Sequence, residues 1–199
     1  MRVAYAVAIE LLIVAPMRIQ NLAWLEHDRH LVRSRLGTAG VTHLRIPADE
    51  MKNHEDYEME LPAESADLLR LFIRDYRPRM GGGADCPWLF PGYSGRRRHP
   101  ESFSQLLSEF IFEQTGIRMH AHLFRHLAAK IYLDTHPEDV ETARRILGHK
   151  SLATTMKSYI EVKNAAAFRR YDALIATRRQ DARERRSVAG IIKRLGSAA

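Results

Sequence analysis

The residues between Ala121 and Tyr159 have types and spacings that could support attack on a phosphodiester without a metal ion. His122 and Arg125 form a His-x-x-Arg pair, His149 follows in a Leu-Gly-His triplet, and Tyr159 comes ten residues later. Arginine grips phosphate oxygens in two places and keeps its charge near neutral pH, and histidine can hold or pass a proton. Tyrosine is a covalent nucleophile whose ordinary pKa of about 10 requires activation by its surroundings.

Two further basic residues upstream complete this set. Arg18 lies in the stretch Ala-Pro-Met-Arg-Ile-Gln-Asn-Leu, and Lys52 lies in Glu-Met-Lys-Asn-His. The chain then contains, in order, Arg18, Lys52, His122, Arg125, His149 and Tyr159. This ordered set resembles the catalytic domain of the tyrosine recombinases, the phage-type integrases, from about Ala4 to about Val162. A His-x-x-Arg pair alone is common, so the resemblance depends on the joint order and spacing.

The resemblance implies a fold, an activity and partners. The fold is α+β: a mostly helical catalytic domain with a small antiparallel β-sheet. The activity is site-specific recombination or integration through a 3′-phosphotyrosine intermediate, with no metal, nucleotide or other cofactor. The partner is double-stranded DNA, on which a homo-tetramer forms, although the free protein could be a monomer. Only about 17 residues precede Arg18, so we expect the family's additional N-terminal DNA-clamping domain to be absent.

The resemblance also gives each matched residue a role. Arg18 and Arg125 clamp the two non-bridging oxygens of the scissile phosphate and stabilise the transition state. Tyr159 attacks phosphorus, and Lys52 protonates the leaving 5′ oxygen. His122, three residues before Arg125 on the same helix face, helps to accept the tyrosine proton. The histidine of the Leu-Gly-His triplet hydrogen-bonds the phosphate.

Three other interpretations are open from the sequence. A type IB topoisomerase-like enzyme shares the chemistry but relaxes supercoils as a monomer. A non-catalytic DNA-binding remnant is disfavoured because all six positions are filled. His122, His126 and His149 could instead ligate zinc, but no glutamate accompanies them in an HExxH arrangement.

Composition agrees with a DNA-binding protein. The 199 residues, 45% of them hydrophobic, can bury one sizeable core, and the net charge of +7 favours polyanionic partners. The single cysteine, Cys86, excludes an intramolecular disulfide and fits a cytoplasmic location. The apolar stretch from Val3 to Met17 is too short to span a bilayer and is interrupted by Glu10, so we expect a buried helix and no membrane partner.

The positive charge is concentrated at the C-terminal end. From Lys163 onward, ten Lys or Arg oppose three acidic residues, which accounts for the whole net charge of +7. We therefore divide the chain into a catalytic domain, residues 1–162, and a basic C-terminal helix or tail, residues 163–199. A predicted amphipathic helix at about 165–176 would dock in trans on a neighbouring protomer or in cis on its own chain. The arginines between 178 and 186 would touch phosphates or stay solvated.

The elements that must position these residues follow from hydrophobic periodicity. We predict a helix from Val3 to Val14, a turn at Pro16, and a second short helix that begins near Arg18. Residues 31–61 read as a small antiparallel sheet with alternating apolar and polar positions. Lys52 would lie in or beside a hairpin of this sheet, in a mobile and exposed position.

The rest of the chain is predicted to be helical, with loops between the helices. In the first of these helices Phe72 and Tyr76 share an apolar stripe that packs on the core. Gly81–Gly83 forms a loop that is not a phosphate cradle, since no lysine follows at the required spacing. Pro137 suits a helix start and Gly148 a helix end. The predicted helices span residues 63–76, 101–115, 122–134, 138–147 and 151–160.

Overall fold

The computed structural model describes residues 1–33, 42–83, 85–157, 159–160, 174–175, 177 and 180. The chain divides into two units, Met1–Ser158 and Tyr159–Ala199, and the fold described below is that of the first unit. The sequence-based boundary between residues 162 and 163 stays a prediction. The helix predicted at 165–176 and the arginines between 178 and 186 lie almost entirely outside the described residues.

The described part of the first unit is mostly helical and contains one small sheet, as the sequence predicts. The sheet has the order β1-β2-β3 with both pairs antiparallel, and residues 152–157 are also helical. The strands are β1 (Leu31–Arg33), β2 (Thr42–Ile46) and β3 (Tyr57–Glu60). The helices are α1 (Arg2–Val14), α2 (Ile19–Ala23), α3 (Ala63–Leu71), α4 (Pro100–Thr115), α5 (Ala121–Thr135) and α6 (Val140–Leu147).

The sheet shows the expected alternation of buried and exposed side chains. Leu44 in β2 lies opposite Leu31 in β1 and Met59 in β3. Leu44 is fully buried, whereas its neighbour Arg45 is exposed. Successive side chains of a strand point to opposite faces, so one face covers the core. The connection from β2 to β3 carries Lys52, as predicted.

The core lies between the N-terminal helix and the helices that follow the sheet. α1 is built from apolar residues spaced three or four apart, which places one face inward. Contacts between tilted phenylalanine rings join α4 to the segments before it. The ring centroid of Phe90 lies 5.7 Å from that of Phe72 and 5.5 Å from that of Phe103. The buried residues of α1 are Ala4, Val7, Ala8, Leu11 and Leu12. Among the described residues, no helix combines the length and apolar character needed to cross a membrane.

Two local predictions differ from the structure. Tyr76 is 41% exposed, because the chain widens into a π-helical turn over Phe72–Tyr76 and the wider turn shifts the phase of the apolar stripe. The helix predicted from residue 138 begins instead at Val140. Asp139 caps it by accepting a hydrogen bond from the backbone N–H of Thr142 at 3.0 Å, and aspartate is among the strongest N-cap residues.

Candidate active site

Arg125 is the most buried of the residues predicted to bind phosphate. It lies in α5 with 4% of its side chain exposed. Its Nη1 donates to the carbonyl oxygen of Pro16, and its Nη2 donates to the carbonyl oxygen of Leu147. The first carbonyl belongs to the segment that leads to Arg18, and the second belongs to the segment that leads to His149. Arg125 therefore ties three segments together with two of its five N–H donors.

Arg18 lies at the start of α2, and one of its N–H groups has no acceptor among the described residues. Its Nη2 lies 3.5 Å from the carbonyl oxygen of Gly148, whereas its Nη1 is buried and has no hydrogen-bond partner within the described part of the chain. Burial lowers the pKa of Arg18. Burial, followed by the charge of Arg18, lowers the pKa of Arg125 to about 10. Two neighbouring cations with an unused buried donor form a site that an anion would complete.

Both arginines converge on the C-terminal end of α6. The last carbonyls of a helix lack intrahelical donors and carry partial negative charge, so guanidinium groups are favourable partners there. Gly148 ends the helix in the left-handed conformation, with φ of 54°. A Cβ at this position would lie 3.2 Å from the Cε atom of Met51. Glycine therefore allows both the backbone turn and the close approach of the segment that carries Lys52.

His149 completes a set that we call the buried trio: Arg125 and His149, which are buried, and Arg18, which is half-buried with a buried Nη1. The imidazole is 5% exposed, and its Nδ1 lies 3.0 Å from the hydroxyl of Thr155. Burial, and then the charges of the two arginines, lower the pKa of His149 to about 4. The ring is therefore neutral near pH 7, with one nitrogen held by the Thr155 hydroxyl. Thr155 is fully buried, and no local pattern in the sequence indicates its role.

Lys52 is exposed in the turn between β2 and β3, and the residues on either side of it are anchored. Met51 and Asn53 are 4% and 8% exposed. The Nδ2 of Asn21 in α2 donates to the carbonyl oxygen of Glu50 at 3.2 Å, which holds the start of the turn. The sequence-based expectation of exposure is confirmed, while the expected mobility of the position stays a prediction.

Arg144 holds the other end of that turn, and sequence reasoning missed it. Its Nη1 donates to the carboxylate of Glu55 at 3.3 Å and to the carbonyl oxygen of His149 at 2.7 Å. Its Nε and Nη2 both donate to Glu141 at 2.9 Å. Arg144 thus links the turn that carries Lys52 to the segment that carries His149. Its neighbours in sequence do not reveal this, because Glu55 is 89 residues away.

His122 lies on α5 one turn before Arg125 and differs from it in environment. Its side chain is exposed, and its ring packs edge-on against His126 with centroids 4.5 Å apart. His122 lies three residues before Arg125 and so shares its side of α5, and it contributes to the lowered pKa of His149. Among the residues that the structure describes, no group of three or more His, Cys, Asp or Glu side chains is arranged to hold a metal ion.

Tyr159, the predicted nucleophile, is the first residue of the second unit. Its side chain is 8% exposed. Its position ten residues after His149 is the property on which its assignment depends.

Comparisons with known proteins identify the family and the fold of this chain. The sequence profile of the Phage integrase family matches residues 1–166. The structure of the XerH site-specific recombinase bound to its difH substrate, a pre-cleavage complex, has a TM-score of 0.62 at 19% identity, covering 82% of this chain and 45% of that chain. The XerA recombinase has a TM-score of 0.55 at 17% identity, covering 78% and 53%.

The chain spans about half the length of these solved structures. At such identities their likeness shows the fold, which is that of the recombinase catalytic domain. The family profile covers far more than half of the chain, and the chain therefore belongs to the phage integrase family.

Proposed function

We propose that this protein is a site-specific DNA recombinase that breaks and rejoins DNA strands through a 3′-phosphotyrosine intermediate. The observation that carries the proposal is the buried Nη1 of Arg18, which has no acceptor among the described residues and stands next to a second, buried arginine. A phosphate oxygen is the acceptor that this donor fits best. Membership of the phage integrase family supports the same reading.

The buried trio would hold the scissile phosphate. Arg18 and Arg125 are preorganised by backbone carbonyls, and they retain N–H donors for the two non-bridging oxygens. His149 is neutral near pH 7 and can donate one hydrogen bond from Nε2 when its Nδ1 accepts from Thr155. Charge that develops on phosphorus oxygens is stabilised most strongly by donors already in place.

Strand cleavage then follows with balanced bonds and protons. The hydroxyl oxygen of Tyr159 attacks phosphorus, and the bond from phosphorus to the 5′ oxygen breaks. Lys52 supplies the proton that the leaving 5′ oxygen takes up, and His122 helps to receive the proton that the tyrosine loses. The phosphotyrosine bond conserves the energy of the phosphodiester, so a 5′-hydroxyl of another strand reverses the step without ATP. No step requires a metal ion, and activity should survive EDTA.

Double-stranded DNA is the proposed substrate. The related XerH structure is a complex with its difH DNA substrate. Exchange of strands between two sites needs a protomer at each of four strand ends, so we propose a homo-tetramer on DNA. The free protein could be a monomer. A topoisomerase-like enzyme would relax supercoils without joining two sites.

A nicked suicide substrate tests the chemistry. Cleavage near the nick releases a short oligonucleotide and traps a covalent adduct, which migrates slowly on a denaturing gel. We expect an adduct with the wild-type protein and none with Tyr159→Phe, while both bind DNA. The matched control is Tyr132→Phe, an α5 tyrosine whose hydroxyl donates to Asp139 outside the trio. Adduct formation by Tyr159→Phe would overturn the assignment of the nucleophile.

A further inference from the structure

A second basic surface lies apart from the buried trio, on the turn that precedes α4. This basic turn, residues 92–98, ends in Arg96-Arg97-Arg98 and contains no acidic residue. The side chains of Arg96 and Arg97 are exposed. Within the described part of the chain, neither guanidinium group makes an ion pair or donates a hydrogen bond. The charge of both residues is therefore available to a ligand.

Arg97 is held in place by aromatic rings. Its guanidinium carbon lies 3.7 Å from the ring centroid of Trp24 and 5.0 Å from that of Trp88. The Nε1 of Trp24 also donates to the carbonyl oxygen of Arg98 at 3.3 Å. A stacked guanidinium keeps its N–H edge free and has already lost much of its rotamer freedom. Arg97 is thus preorganised for an anion that arrives from solvent.

Arg98 turns inward and fastens the same segment. Its Nη2 donates to the carbonyl oxygen of Pro91 at 3.0 Å, and its guanidinium carbon lies 4.7 Å from the ring centroid of Phe103. The three consecutive arginines therefore differ in the direction of their side chains and in what those side chains can do. Arg98 anchors the basic turn, while Arg96 and Arg97 face solvent.

The glycine triplet that the proposed chemistry leaves unused supports the basic turn. Gly82 and Gly95 both have positive φ, and a Cβ on either would lie 2.6 Å from the Cα of the other. A Cβ on Gly92 would lie 2.9 Å from the carbonyl oxygen of Arg96, which accepts a hydrogen bond from the N–H of Gly92 at 2.8 Å. The two loops therefore pack backbone to backbone at these glycines, which have no side chains to separate them. This contact makes the turn a rigid platform for its arginines.

Trp24 relates the basic turn to the candidate active site. Arg18 is the N-cap and Trp24 the C-cap of α2. The five residues of α2 lie between them, so six steps along the helix, at 1.5 Å per residue, give a rise of about 9 Å. Successive phosphates of one DNA strand are about 3.4 Å apart along the duplex axis. The basic turn is therefore within a few nucleotides of a phosphate bound by Arg18.

We propose that Arg96 and Arg97 form a second DNA-contact site, which binds backbone phosphates next to the scissile one and is preorganised by Trp24, Trp88 and the paired glycine loops. The inference rests on the proposed DNA-recombining function and deepens it. Such contacts position a duplex without reading its sequence.

Salt dependence of binding tests the proposal with the full chain. The probe is a labelled duplex of arbitrary sequence, followed by fluorescence anisotropy over a range of salt concentrations. The test variant Arg96→Gln/Arg97→Gln keeps the aliphatic stems and removes both charges. We expect the log–log salt slope to fall by about 0.9 for each lost phosphate contact, which weakens binding about 8-fold per contact at 0.1 M salt relative to 1 M.

Two further variants serve as controls for charge and for folding. Arg70→Gln/Arg74→Gln removes the same charge from exposed arginines that are paired with Asp67 and Asp75, and its slope should match the wild type. Arg96→Lys/Arg97→Lys keeps both charges and the fold but loses planar stacking. Its salt slope should stay near the wild-type value while its affinity falls severalfold. Equal loss of slope in the Arg70 and Arg74 control would show a general charge effect and overturn the proposal.

Intrinsic fluorescence gives a local readout. The chain has two tryptophans, Trp24 and Trp88, and Arg97 lies against both. Addition of unlabelled duplex should change their emission in the wild type and much less in Arg96→Gln/Arg97→Gln. Unchanged emission at saturating DNA would overturn the proposal. Equal displacement of the duplex by polyglutamate of matched charge would do so too, since the turn would then favour acidic protein surfaces.

The experiments distinguish an error in the second contact site from an error in the proposed function. If the wild type forms the tyrosine adduct but the Gln variant binds like the wild type, the second contact site is wrong and the recombinase proposal stands. If the wild type neither binds duplex DNA nor forms an adduct, both are wrong.

Discussion

The buried trio and the turn that carries Lys52 are built in opposite ways around one site. Arg125 and His149 are buried and Arg18 is half-buried, and the two arginines donate to the carbonyls of Pro16, Leu147 and Gly148. Lys52 is exposed, and only the residues around it are anchored. One region fixes the functional groups themselves, whereas the other fixes the backbone and leaves the side chain free.

The cost of burying charge explains the difference. The buried guanidinium of Arg125 is held by two carbonyl acceptors, since an unpaired buried charge is strongly unfavourable. Its geometry is therefore settled when the chain folds. A lysine that delivers a proton to a departing oxygen must adapt as that oxygen moves, so a solvent-exposed side chain on an anchored turn suits the task. The comparison predicts that damage to the two regions will differ in both size and kind.

The largest effect is expected from Arg125→Ala. Loss of one preorganised transition-state donor typically costs about 10² to 10³ in rate, and the buried carbonyls of Pro16 and Leu147 would each lose a donor, at about 1–3 kcal/mol of stability apiece. Single-turnover adduct formation and denaturant unfolding measure the two losses. The exposed Arg145→Ala, which breaks a pair with Glu141, is the matched control. A loss of rate below about tenfold would contradict the assigned role.

Lys52→Ala should also slow cleavage, by about 10² or more, because general acid catalysis contributes roughly that factor. Unlike Arg125→Ala, it should leave the free energy of unfolding unchanged, since the lysine is exposed. A substrate with sulfur in place of the 5′ oxygen separates the causes. A thiol has a pKa of about 8.5 and leaves without a proton donor, so the defect of Lys52→Ala should largely disappear on it. A defect of equal size on both substrates would show that Lys52 is not the acid.

Glu55→Gln should have a smaller effect, of about tenfold or less, by weakening the link from Arg144 to the turn that carries Lys52. Because Glu55 would act through Lys52, the sulfur substrate should suppress this defect as well. Glu58→Gln, which neutralises an exposed carboxylate of β3, is the control and should change neither rate. Persistence of the Glu55→Gln defect on the sulfur substrate would limit Glu55 to a general structural role.

The smallest expected effect concerns the pH dependence of stability. The pKa of His149 is lowered from 6.5 to about 4 in the folded protein, so the unfolded chain binds more protons between these values. The stabilising contribution is present above about pH 6.5 and is lost as the pH falls towards 4. Denaturant unfolding over this range should show a shallower decline for His149→Gln than for the wild type. His136→Gln, at an exposed histidine, should decline like the wild type.

Periodicity and local motifs predicted most of the fold. The apolar spacing of α1, the alternation in the sheet and the left-handed glycine after α6 all depend on neighbours in sequence, so they could be read before the structure. The start of α6 and the exposure of Tyr76 could not be predicted. The first depended on a competing cap at Asp139, and the second depended on a π-helical turn that changes the phase of a helix face.

The candidate site divides in the same manner. Ordered motifs predicted Arg18, Lys52 and Arg125 as candidates, because each proposed role needs a characteristic residue type and context. Arg144 and Thr155 were not found, since their value comes from hydrogen bonds to Glu55 and His149. Such partners are chosen by packing, and packing leaves no local pattern.

The sequence by itself determined the family, the residue types of the chemistry and the order of the helices and strands, because these depend on composition, spacing and motif. Only the tertiary structure decided which of the basic residues are buried, which donors are left without partners, and how the turn of Lys52 is anchored to the segment of His149. Burial and hydrogen-bond geometry arise from contacts between residues far apart in the chain, such as Arg125 with Pro16, 109 positions away. They set the charge states and the fixed geometry of Arg125 and His149.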